Sequence, residues 1–199
     1  MPRRVVDILR GPIAGRINYS FPDVAAHDVF WPLTGVHRVT PAAFHDVARA
    51  IESGIIHVEH ARDIGAGFDA QYNSSGRTRR DGTVVRAKTI EIGGTSGRVQ
   101  MGAILHECVH AYFDLVHYRM SILTNEAAAY VTSALAYRMT GVPWPRINDP
   151  DRAGENVADR LMHQYATGVG VPMVSREPWV GLLQAIQASP DYASELSGH

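Results

Sequence analysis

His106, Glu107 and His110 stand in the order H-E-x-x-H inside AILHECVHAYFDL, residues 103–115. On an α-helix, positions i and i+4 lie about 40° apart around the axis and about 6 Å along it, so both imidazoles can offer a ring nitrogen to one metal ion. Glu107, about 100° around from His106, would stand beside that ion rather than on it. Zinc suits the pattern: it lowers the pKa of water toward ~7, and an adjacent carboxylate can take the proton while the water attacks a carbonyl. The reading is a catalytic zinc site with Glu107 as general base. The competing reading is a pair of satisfied histidines at a helix surface. Three polar residues on an otherwise apolar helix argue against it, because burying polar groups without a partner is costly.

A catalytic zinc needs a third protein ligand and an open position. His117 shares a face with His106 but lies about 10 Å beyond His110, out of reach of the same ion unless the helix breaks. Asp114, one turn after His110, reads better as a supporting or surface acid. His163, on a later helix, stays open. Glu126 is the strongest candidate, since sixteen residues after His110 allow one helix to finish and a second to return past it. The run NEAAAYVTSALAY begins at Asn125 and sets Ala127, Ala128 and Ala129 after the glutamate, small side chains that let helices approach closely.

The elements that must position these residues can be read from periodicity. The first ~40 residues are rich in Pro, Gly and aromatics and predict irregular structure or short strands. Thr40-Pro41 predicts a helix start, and Phe44, Val47, Ala48 and Ile51 recur at helical spacing until Gly54. IIHVEH (55–60) alternates like a short strand; the Gly-rich DIGAGFDAQY and the turn cluster NSSGRTRRDG follow. TVVRAKTIEIGG reads as a strand, with Gly93-Gly94-Thr95-Ser96 as a break and cap. A helix over 97–118 then carries Val99, Met101, Ile104, Leu105, Val109, Phe113 and Val116 as its apolar stripe. Further helices are predicted over 123–139, 151–167 and 175–188, the first two separated by the proline-rich loop GVPWPRINDP. Strands first and helices afterwards predict an α+β domain over 1–199, with an irregular/helix/β lobe at 1–96 and a helical lobe at 97–199 that bears the metal ligands.

These residues resemble the zincin metallopeptidases, and among them the gluzincin type, over about residues 84–140. His106-Glu107-Cys108-Val109-His110 matches the active-site helix and Asn125-Glu126 the following helix. The resemblance implies zinc on His106, His110 and Glu126, Glu107 as general base, and a small mixed sheet against the active-site helix. It also implies that TIEIG is the edge strand on which an extended substrate lies. The metzincin subtype does not fit, because no Gly follows His110 by three residues and no His by six. The short spacing to Glu126 is closer to compact bacterial metallopeptidases, including effector toxins and anti-repressor proteases.

A donor for the developing oxyanion is also expected. Tyr118, Tyr130, His117, His163 and Tyr165 are available, and Tyr130 is preferred for sharing a face with Glu126. Cys108 reads as a small core residue, and Trp144 and Trp179 as core or loop anchors. The absence of an obvious oxyanion residue also motivates a catalytically silent binding or regulatory module; a zinc hydrolase of a non-peptide amide is a third reading. The formal net charge of -1 offers no basic field for nucleic acid or anionic membrane, and Arg77, Arg79 and Arg80 read as a solvated hairpin tip. The single cysteine rules out an internal disulfide framework. The basic start lacks the apolar core of a secretory signal, and no stretch approaches the ~20 apolar residues of a membrane span. The expected protein is soluble and cytoplasmic as synthesised, compatible with signal-independent export, and acts on a peptide or protein. Its oligomeric state is left open.

Overall fold

The computed structural model describes residues 1–22, 36–61, 69–79, 81–93, 98–118, 120–143, 148–168, 170–190 and 192. Arg80, Trp144, the segment 62–68 of the Gly-rich run and the expected cap at 94–96 lie outside them. The chain opens with helix α1 (Pro2–Leu9), where irregular structure was expected. Proline at its start fits the first helical turn, whose N–H groups have no partner in any case, and Val5, Val6 and Leu9 supply a buried stripe. Strands β1 (Tyr19–Pro22) and β2 (Val36–Val39) pair antiparallel. β1 is buried throughout, and the Tyr19 hydroxyl donates to the Ala128 carbonyl at 2.7 Å. Helix α2 (Pro41–Glu52) begins as expected, with the Thr40 hydroxyl accepting from the Ala43 N–H.

A three-stranded sheet follows in the order β3-β7-β4, built from β3 (His57–His60), β4 (Ala70–Asn73) and β7 (Thr89–Ile92). β7 runs parallel to β3 and antiparallel to β4. Between β4 and β7 lies a short hairpin, β5 (Arg77–Thr78) with β6 (Val84–Val85). Two expectations change here. The strand signal over 84–92 divides into β6 and β7, and Lys88 takes a left-handed φ of 55° at the break. TIEIG is the central strand, so the edge beside the next helix belongs to β4. All four residues of β7 are buried, the condition of a strand covered on both faces. Glu91 is fully buried in it, bonded by Asn73 and by the guanidiniums of Arg77 and Arg79, so the hairpin arginines are clamps and not a solvated tip. Burial works against the Glu91 charge, but the two arginines outweigh it and hold the carboxyl below its ordinary value.

Four helices complete the chain: α3 (Arg98–Leu115), α4 (Ile122–Thr140), α5 (Asp149–Ala166) and α6 (Arg176–Ala188). α3 stops before His117, which adopts φ 50° and is exposed, as is Val116. Ser121 caps the start of α4 and left-handed Gly141 ends it. α4 is covered nearly all round, with Ala127, Ala128 and Ala129 at 0% exposure, which lets α3 and α5 close on it. A Cβ on Gly102 would stand 2.2 Å from the Tyr137 ring, so only glycine admits that approach. Asn148 and Asp151 form a reciprocal capping box on α5. Trp179 is fully buried, and one apolar core runs from α1 to α6. The architecture is mixed α and β and mostly helical. Among the described residues no helix is long and apolar enough to cross a membrane.

Candidate metal centre

α4 runs back along α3. Contacts fall in antiparallel order: His110 with Asn125, His106 with Glu126 and Tyr130, Gly102 with Ser133 and Tyr137. This brings Glu126 across the face that His106 and His110 share. Its Oε1 lies 3.4 Å from His110 Nε2 and its Oε2 3.6 Å from His106 Nε2. Each histidine thus faces its own oxygen of the one carboxylate, which places Glu126 within reach of an ion held between the two rings. His106, Glu107 and His110 likewise place one ligand atom each within 4.8 Å of the others.

The two carboxylates differ in their supports. Glu107 Oε2 accepts from the Tyr72 N–H of β4 at 2.7 Å, which ties it to the sheet edge. Burial pushes Glu107 up to about 7, helped by the Glu126 charge and opposed by His110 and the Tyr72 amide. Burial also disfavours the Glu126 anion, but the His110 and His106 rings and a hydrogen bond from Tyr192 hold it at about 2. One stays ionised while the other is poised near neutrality, the division of labour that acid–base chemistry uses.

His110 Nδ1 stands 3.0 Å from Asn125 Oδ1. An amide oxygen only accepts, so Nδ1 carries a proton there, which leaves Nε2 as the ring nitrogen that would ligate a metal. The Tyr72 hydroxyl donates to Asp114 at 2.7 Å, and Lys88 Nζ lies 3.7 Å from the same carboxylate. Asp114 therefore braces the β4 edge against α3.

Of the sequence candidates, His106, Glu107, His110 and Glu126 come together. His163 is exposed on α5. Tyr165 is committed to the Asn18 backbone, and Tyr118 stacks on His37. Cys108 is fully buried and burial pushes its thiol up, the behaviour of a packing residue. Tyr130 sets its ring edge on His106, centroids 5.2 Å apart, and burial pushes its hydroxyl up to about 12. That hydroxyl meets Tyr192, 3.2 Å away, so Tyr130 reaches Glu126 through a second tyrosine.

Sequence reasoning gave Asn125 no role, although its adjacency to Glu126 was visible. It missed Tyr72, hidden in a Gly-rich run, and Tyr192, whose partner Glu126 is 66 residues away with no periodic pattern to link them. No family model, no curated protein and no solved structure matches the chain.

Proposed function

We propose that the chain is a zinc-dependent metallopeptidase in which His106, His110 and Glu126 hold the ion and Glu107 is the general base. One observation carries this reading. The Glu126 carboxylate spans two Nε2 atoms, one oxygen to each, and a second carboxylate, Glu107, stands beside the same pair of histidines. The donor set, two imidazoles and one carboxylate, is that of catalytic zinc. Zinc held there would polarise a carbonyl and lower the pKa of water toward ~7.

The chain's own residues supply the rest. Glu107, kept in one orientation by the Tyr72 amide, accepts a proton from water as the oxygen bonds to the peptide carbonyl carbon. The C–N bond then breaks and Glu107 returns that proton to the leaving amine. The outer edge of β4 is the natural seat for an extended substrate. Alternation along the strand turns the Ala70 amide and carbonyl and the Tyr72 carbonyl away from β7, and no described strand pairs with them.

Glu107→Gln keeps the shape of the side chain and removes its basicity. It should retain stoichiometric zinc while cleavage of a peptide library falls by about 10²–10⁴-fold. Full activity in that variant would sink the mechanism. Stoichiometric zinc in a wild-type protein that cleaves no peptide would replace the peptidase with a non-cleaving module.

A further inference from the structure

We propose that Tyr192, from the segment after α6, is the positioning residue for the third metal ligand, an assignment that rests on the zinc reading above. Its hydroxyl donates to Glu126 Oε2 at 3.0 Å, and that oxygen is the one 3.6 Å from His106 Nε2. A phenol has a single proton. With that proton on Glu126, the Tyr192 oxygen can only accept from the Tyr130 hydroxyl 3.2 Å away. Tyr130 and Tyr192 therefore form a run of donors that points one way and ends on the Glu126 carboxylate.

Bonds aligned in this sense strengthen one another, and a donor on a ligating carboxylate fixes its orientation. Tyr130 lies on α4 with Glu126, and Tyr192 in the segment after α6, so the ligand is steadied from its own helix and from a segment 66 residues away. The Tyr130 ring braces His106 as well, edge-on at 85°. Because its proton is committed to Glu126, Tyr192 acts through the ligand and not on substrate.

The test uses the full-length chain and the Tyr192→Phe variant, which deletes one hydroxyl and keeps the ring. Zinc affinity is measured by competition with a chromophoric chelator, the metal-free melting temperature by calorimetry, and the visible spectrum after loading with Co²⁺. Weakening of zinc by about 10–100-fold and a changed cobalt spectrum are expected, with a metal-free melting temperature lowered by only a few degrees and unfolding still cooperative. Unchanged affinity and spectrum overturn the proposal, and so does a loss of activity confined to kcat at full zinc affinity, which would put Tyr192 on the substrate. A metal-free variant that loses its cooperative unfolding transition overturns it too, making Tyr192 a packing residue. If wild-type protein takes up no zinc, the metallopeptidase reading falls with it; if only the variant comparison fails, that reading stands.

Discussion

Glu107 and Glu126 carry the same side chain within one cluster, yet they are held on opposite sides of the ordinary carboxylate value. The difference is one of partners: Glu126 lies across two imidazoles and takes a phenol hydroxyl, while Glu107 has one backbone amide and a carboxylate neighbour. Burial raises Glu107 from 4.5 to about 7, so in the metal-free protein it holds its proton at pH 6. The folded state then binds more protons than the unfolded one between those values. Its contribution to stability is present below 4.5 and is lost as pH rises through about 7. A divalent cation alongside favours the anion, so zinc binding must expel that proton. Calorimetry of zinc binding at pH 6 in buffers of different ionisation enthalpy should show roughly one proton more released by the wild type than by Glu107→Gln. Equal release from both would mean that Glu107 is already ionised without metal. The shared face of His106 and His110 was legible in the sequence because helix arithmetic fixes i and i+4. Asn125, Tyr72 and Tyr192 were not, because what they do depends on which backbone edge and which distant segment come to rest beside α3 and α4.

At the scale of elements, the seam between α3 and α4 sets the distance from the histidines to Glu126. Gly102 permits it, and the Ser133 hydroxyl donates to the Gly102 carbonyl at 2.7 Å. Gly102→Ala adds helix propensity of about 1 kcal/mol, but its Cβ would fall 2.2 Å from a buried tyrosine ring. Overpacking of this kind costs about 1–3 kcal/mol, so a lower denaturation midpoint and weaker zinc binding are expected together. An unchanged midpoint would show that the seam yields more easily than its packing suggests. The extent of α2 was legible from the Thr40-Pro41 start and the Gly54 stop, and α4 falls within one residue of the expected 123–139 at each end. Strand order was not. Thr89–Ile92 alternates as an edge strand would, but strand order depends on which later or earlier segment pairs on each side, and β3 and β4 take both. The burial of Glu91 was equally hidden, since only the hairpin arginines make it tolerable. α1 went unread because prolines and glycines around it spoke louder than an eight-residue stripe.

For the molecule as a whole, strands before helices were enough to foresee an α+β architecture, because a sheet with one helix across it needs further helices to cover that helix. The way the segment after α6 returns to Glu126 was beyond local pattern. That return lets residues from both ends of the helical half converge on Glu126, so a metal would fasten together elements far apart in the chain. The most direct test is metal analysis of purified protein beside His106→Ala and Glu126→Ala. One zinc per wild-type chain, lost in both variants, is the expected result. Absence of zinc from the wild type, or its full retention in Glu126→Ala, would contradict the site described here.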